Sequence, residues 1–286
     1  MGKWMAFNIL KKGFSLSVYD IRKKPVTELI KYGANAPQGL AEIGNRCKWI
    51  VFSLPDTSVV ESVLFGTSGL KASLKSGHII IDCSTTHPVF AQKAAAEPKR
   101  EGIIFLDAPI SGMASLVREG KLTIMVGGEE EAFQTVQPLL KAMGKTILYM
   151  GTSGAGQTTK ILNNILFNIS CAAMAEILSF AVKVGLDPEK FSSVVQESSG
   201  QSYGFDFFFP RIINNNFTDG YPMEKAYKDM DALMELSNKY QIPLPVFSGA
   251  MHTYKLALSL GLGDQDKGAM IKVWENIFGV TVRKKI

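Results

Sequence analysis

Short apolar runs alternate with amphipathic stretches over the first half of the chain. The runs at 15–20 (SLSVYD), 49–55 (WIVFSLP), 78–84 (HIIIDCS), 103–109 (IIFLDAP), 122–128 (LTIMVGG) and 147–151 (ILYMG) read as strands. Helical patterns lie between several of them, as over Pro25–Tyr32 and Ala132–Ala142. Buried strands alternating with helices predict an α/β fold, with a mostly parallel, doubly wound sheet covered on both faces. The second half changes character. From Gln157 to Val184, 28 residues pass without Gly or Pro. That predicts a helix about 42 Å long at 1.5 Å per residue. Further helical patterns follow over Pro188–Glu197, Glu224–Lys239, Phe247–Ser259 and Gln265–Asn276, and no strand-like run competes with them. The glycine-rich stretch 151–156 marks the expected boundary. An α/β domain over 1–152 precedes an all-α domain over 153–286 that begins with the long helix.

The start of the chain qualifies this picture. Met5–Leu10 reads as a helix, Gly13 ends it, and the next run closes on Asp20. This is the second half of a Rossmann βαβ unit, in which the acid after the second strand binds a ribose hydroxyl. Asp20 lies 18 residues after Gly2. Gly2 can only be the third glycine of the phosphate-binding turn, because no strand and no earlier glycines precede it. The expectation is that the first strand is missing, that the native start lies upstream, and that this form binds NAD poorly.

Composition narrows the class further. The 286 residues are 46% apolar and 20% charged, with a net charge of +5, which is ordinary for a globular protein. The only short basic clusters, RKKI at the C-terminus and KKPV at residue 23, read as solvated surface, so no nucleic-acid partner is expected. Cys47, Cys83 and Cys171 form no CxxC pair, and His78, His87 and His252 show no ligand spacing, so no metal is expected. Free thiols and no secretory leader point to the cytoplasm, or to an organelle matrix if a leader is missing from this chain. The long helix carries Asn163, Asn164, Asn168 and Glu176, each costly in hydrocarbon, so a buried helix is expected and no membrane partner.

Several segments in order carry a resemblance. MGKWMAFNILKKG, DAPISG (107–112) with GKLTIMVGG (120–128), GAGQTTKILNN (154–164) and YKDM (227–230) are similar to motifs of the β-hydroxyacid dehydrogenases of the 3-hydroxyisobutyrate dehydrogenase type. The resemblance spans nearly the whole chain. It implies hydride transfer between NAD and a short β-hydroxy acid or its semialdehyde. Lys160 would be the general acid/base and Asn164, one helical turn on, would hold the lysine and the substrate oxygen. A lysine serves both directions of such a reaction if burial brings its pKa toward neutrality. Ser111 and Gly112 would receive the substrate carboxylate. Met113 stands where the family usually has a second glycine, and it reshapes that pocket. Lys228 resembles a family lysine that reaches the site from the α domain.

Gly2, Asp20, Leu54, Pro55 and Thr85 would contact the cofactor. Asp20 favours NAD, because a carboxylate repels a 2′-phosphate, whereas Arg22 and Lys23 beside it leave NADP open. Asp266 reads as structural. The family also implies a homodimer or homotetramer formed through the α domains. The alternative reading is a catalytically impaired or scaffolding member of the same fold. The incomplete glycine turn favours it, and the presence of both Lys160 and Asn164 opposes it.

Overall fold

The computed structural model describes residues 1–218 and 220–284, so the last two positions of the RKKI cluster lie outside it. Its contacts divide the chain into two units, Met1–Lys160 and Ile161–Ile286.

Unit 1 is a six-stranded sheet with helices on both faces. Its helices are α1 (Gly2–Lys11), α2 (Lys23–Ile30), α3 (Leu40–Arg46), α4 (Thr57–Phe65), α5 (Pro88–Lys99), α6 (Ala114–Arg118) and α7 (Glu130–Met143). Its strands are β1 (Trp49–Phe52), β2 (Ile79–Asp82), β3 (Ile104–Asp107), β4 (Ile110–Ser111), β5 (Leu122–Gly127) and β6 (Gly144–Gly151). The order across the sheet is β1-β2-β3-β5-β4, with β6 beside β5. β1, β2 and β3 run parallel, so that Phe52, Asp82 and Asp107 stand in register at their ends. β5 and β6 are also parallel, but β5 runs antiparallel to β3 and β4. The sheet is therefore mixed. The link from β4 to β5 holds only the short α6, while a parallel crossover needs about a dozen residues or more.

Alternation along β2 explains how both faces are covered. Ile79 and Ile81 join Met5 and Ile9 of α1 and Phe133, Val136 and Leu140 of α7 in one cluster. Ile80 points the other way, into a cluster with Ile50, Phe52 and Phe105, Val60 and Leu64 of α4, and Phe90 and Ala94 of α5.

The run 15–20, expected as a strand, forms only an isolated parallel bridge between Ser17 and Asn35. Val18 N–H donates to the Asn35 carbonyl and Asn35 N–H to that of Leu16. Among the described residues no strand pairs with its other side, so no ladder extends the bridge.

Unit 2 is helical. It takes up most of α8 (Ala155–Lys183) and continues with α9 (Pro188–Gln196), α10 (Tyr203–Ile213), α11 (Met223–Tyr240), α12 (Pro245–Ser259) and α13 (Ile271–Phe278). The pattern of the sequence did not announce α10, because Gly204, Pro210 and three consecutive phenylalanines mask its period. Ser202 caps it by accepting the Phe205 N–H at 3.1 Å. Phe205, Phe208 and Ile212 then pack with Ile161, Ile165 and Leu178 of α8 in one core. By length and composition α8 could cross a membrane. Its Ile161–Ile165–Ala175–Leu178 side is instead buried in protein, and Leu162, Leu166, Ile177 and Phe180 on the other side are exposed.

Candidate active site

The first turn of α8 is fastened to the ends of β2 and β3. The Asp107 carboxylate accepts the N–H groups of Gly154 at 2.7 Å and Gln157 at 2.9 Å, one per oxygen. It thereby satisfies donors that a helix start leaves open and faces the positive end of the helix dipole. Burial pushes the Asp107 carboxyl above its ordinary range, and these N–H bonds pull it back. The Gln157 side chain is fully buried. Its Oε1 accepts from Thr86 N–H at 3.0 Å and its Nε2 donates to the Ser84 carbonyl at 2.8 Å. Asp82, with no exposure, accepts from Ser84 N–H at 3.0 Å and Thr86 Oγ1 at 3.3 Å. Burial pushes its carboxyl up to about 6.

The glycines of GAGQ make this fit possible. Gly154 has φ +90°, a region that costs other residues strain. A Cβ on Gly156 would collide with the carbonyl oxygens of Met125 and Asp107. Lys160 follows one turn after Gly156, half-buried, on a helix start that cannot shift without breaking these bonds. The division between units falls just past it, inside α8, because this turn belongs to the sheet through Asp107 and Gln157.

The loops leaving β1 and β2 are tied to each other. Leu54 N–H donates to Ser84 Oγ at 2.9 Å and His87 N–H to Thr57 Oγ1 at 3.0 Å. The predicted cofactor residues Leu54, Pro55 and Thr85 therefore share one sheet edge, the carboxyl end of parallel strands where open α/β sheets bind ligands. Ser111 ends β4, paired with Thr123. Gly112 follows at φ +147°, and a Cβ there would stand 2.8 Å from Leu122 Cδ2. Only glycine fits this turn. Met113 and Leu116 beyond it are partly exposed, whereas Val117 is fully buried. Val117 thus fills the core, whereas Met113 stays at the surface.

Within unit 2, Asn164 Nδ2 donates to Asp229 Oδ2 at 2.8 Å. Asp229 is buried, while Lys228 beside it on α11 is exposed. The structure therefore joins the GAGQTTKILNN helix to the YKDM helix through Asp229 and not through Lys228. The sequence reading passed over Asp229, although it stands in the quoted motif. It also passed over Asp82, Asp107 and Gln157, whose signal is an acid closing each of two apolar runs (IIID, IFLD) and an amide in the helix start. Asp266 is structural, as expected. It accepts the N–H of Gly268 at 2.9 Å and of Gly220 at 3.0 Å.

Unit 1 also offers a dinucleotide cradle. Gly2 opens the ten-residue α1, and a Cβ there would stand 3.2 Å from Ser53 Cβ. The helix start and the β1 loop thus meet where a pyrophosphate would lie on backbone N–H groups. Val18, Tyr19, Asp20, Lys23, Val26, Thr27 and Pro37 line a hollow of about 210 Å³. Asp20 is engaged by Arg22, through the backbone N–H at 2.8 Å, Nε at 3.1 Å and Nη2 at 2.9 Å. That pairing holds its carboxyl below the ordinary range. These residues fit a nicotinamide dinucleotide.

Comparison with known proteins shows the family of the chain. Residues 1–151 match the family described as the NAD binding domain of 6-phosphogluconate dehydrogenase, and residues 154–274 match the NAD-binding family of NADP-dependent 3-hydroxyisobutyrate dehydrogenase. The chain is 36% identical over 283 residues to the 2-(hydroxymethyl)glutarate dehydrogenase of Eubacterium barkeri, covering 99% of this chain and 94% of that one. It is 32% identical to the mitochondrial 3-hydroxyisobutyrate dehydrogenase of Mus musculus, covering 93% and 82%. Among solved structures, the 3-hydroxyisobutyrate dehydrogenase of Salmonella typhimurium superposes with a TM-score of 0.84 at 28% identity, over 95% of both chains.

Proposed function

Since the chain belongs to the β-hydroxyacid dehydrogenases, NAD(P)-dependent oxidoreductases, we propose that it oxidises a short β-hydroxy acid to the semialdehyde, or reduces the semialdehyde, with Lys160 as its general acid/base. The observation that carries this reading is the fastening of the Lys160 helix start to the ligand-facing edge of the sheet by Asp107 and Gln157. Such positioning holds a proton-transfer group where small displacements would cost rate.

Bound NAD(P) would supply the hydride acceptor or donor at its nicotinamide ring. The Ser111 hydroxyl and the backbone N–H groups of the Gly112 turn receive the substrate carboxylate. In oxidation, the Lys160 amine takes the proton of the substrate hydroxyl as the carbon loses hydride. In reduction, the ammonium returns that proton to the carbonyl oxygen. Asn164, held in orientation by Asp229, donates to the same oxygen without adding charge. Lys228 supplies a cation next to Asp229. Gly2 and Ser53 hold the pyrophosphate, Asp20 the ribose diol, and Leu54, Pro55 and Thr85 the nicotinamide side.

We further read the exposed stripe of Leu162, Leu166, Ile177 and Phe180 on α8 as a subunit face, giving a homodimer or homotetramer. Three free cysteines, two of them buried, suit a reducing compartment such as the cytoplasm.

The test is a panel of 3-hydroxyisobutyrate, glycerate, threonate, 2-(hydroxymethyl)glutarate and their semialdehydes, each assayed with both cofactors. Turnover of at least one pair is expected. A protein that turns over none of them in either direction would favour the scaffolding reading.

A further inference from the structure

The backbone and the side chain of Gln157 are tied to different strands of unit 1. The backbone N–H donates to Asp107, at the end of β3, at 2.9 Å. The side-chain amide reaches the loop after β2. There Nε2 donates to the Ser84 carbonyl at 2.8 Å, and Oε1 accepts from the Thr86 N–H at 3.0 Å. Thr85, between those two residues, is thus held on both sides by one amide. The loop is tied further inward. Ser84 N–H and Thr86 Oγ1 donate to Asp82, and Ser84 Oγ accepts from the Leu54 N–H. Gly154 shows the same close fit independently. A Cβ there would stand 2.9 Å from Gln92 Cγ and 3.1 Å from the Pro88 carbonyl oxygen.

These partners dictate the residue type. A backbone N–H can only donate and a carbonyl can only accept, so the group between Ser84 and Thr86 has to offer one acceptor and one donor. Glutamine offers both, and its amide orientation is set by the two partners. Glutamate would keep the acceptor and turn its second oxygen against the Ser84 carbonyl. Leucine would leave a buried N–H and a buried C=O without partners, which is the costly way to lose a hydrogen bond. Gln157 has no exposure, so bulk water does not reach these groups.

Asp107 and the glycine turn already anchor the start of α8. What the Gln157 amide adds is a fixed relation between two segments with separate tasks. Thr85 lies in the loop assigned above to the nicotinamide side. Lys160 follows Gln157 by three residues, about 4.5 Å along the helix axis and on a neighbouring position of its surface. We propose that Gln157 is a positioning residue that keeps the 84–86 loop in register with Lys160, so that its loss slows turnover while substrate and cofactor still bind. This inference rests on the proposed dehydrogenase reading for the roles of Thr85 and Lys160. Hydride and proton have to move at one carbon–oxygen group. A displacement of about 1 Å between the two segments therefore falls on rate before it falls on binding.

Two measurements on Gln157→Leu in the full chain test this. Hydrogen exchange without cofactor reads the tie itself. Exchange at 84–86 and at 154–158 is expected to speed up together, by about tenfold or more, while β5 and α7 keep their protection. Kinetics read the consequence. Turnover is counted per NADH-binding site by titration, so that any unfolded fraction drops out. It is expected to fall by about tenfold to a hundredfold, with KM and NADH affinity within about threefold of wild type. Gln157→Glu, of the same length and without the donor, should show the same pattern and serves if the leucine variant does not fold. Exchange that rises in neither segment or in one alone, or turnover per site within about threefold of wild type, would overturn the proposal. Failure of the dehydrogenase reading would appear separately, in the wild type, as no reduced nicotinamide from any acid of the panel.

Discussion

The Asp20 carboxylate, held by three N–H groups of Arg22, offers its charge to whatever occupies the hollow beside it. A free ribose diol can donate to a carboxylate, and a 2′-phosphate is repelled by one. Arg22 is the compensating cation, with a largely exposed side chain. Asp20→Ser should release Arg22 and lower the NAD-to-NADP ratio of kcat/KM by about tenfold or more, a change of about 1.4 kcal/mol in relative transition-state binding. Steady-state kinetics with each cofactor measures it, and an unchanged ratio would remove Asp20 from cofactor choice. At the same scale, the spacing of Lys160 and Asn164 and the motif around them made the two residues candidates, and their place on one helix start was legible. The pairing of Asp229 was not, because nothing in the sequence says that the acid of YKDM, and not its lysine, meets Asn164.

At the scale of elements, the paired ends of β2 and β3 hold two buried carboxylates, Asp82 and Asp107, in register. Asp82 has its carboxyl raised from 3.8 to about 6, first by burial and also by the nearby charge of Asp107. The unfolded chain gives up this proton near 3.8 while the folded chain keeps it to about 6. The stability it contributes is therefore complete below about pH 4 and is lost as the pH rises through about 6, by on the order of 3 kcal/mol. Asp82→Asn keeps an acceptor for the Ser84 N–H and removes the titration. Melting temperatures of the variant from about pH 4 to about pH 7 should lose that falling component. A variant whose profile matches the wild type would show that Asp82 does not titrate there.

The strands β1, β2, β3, β5 and β6 and the long α8 were legible because apolar runs and uninterrupted helical patterns are local signals. The antiparallel placement of β5 depends on which strand it pairs with, and α10 depends on tertiary burial of a run of phenylalanines. Neither is written in local periodicity. The extended run ending at Asp20 looked like a strand because apolar alternation reports a tendency, while a ladder also needs a partner on the next strand.

At the scale of the whole molecule, the exposed apolar positions of α8, among them Leu166 at 70% and Phe180 at 52%, predict association. A face of this kind is rarely left to water. Sedimentation at micromolar concentration should give a dimer or larger, and Leu166→Lys with Phe180→Lys should shift it toward monomer. A wild-type monomer across that range would leave the stripe without a subunit role.

As proposed, the chain is a nicotinamide-dependent hydroxyacid dehydrogenase whose proton moves through Lys160. The most direct test is the kcat of wild type and Lys160→Ala on the preferred acid of the panel, with cofactor affinity measured on both by calorimetry. The variant is expected to lose about a hundredfold to ten-thousandfold in kcat with cofactor affinity nearly unchanged, since Lys160 lies outside the dinucleotide cradle. Turnover within a few-fold of wild type would contradict it.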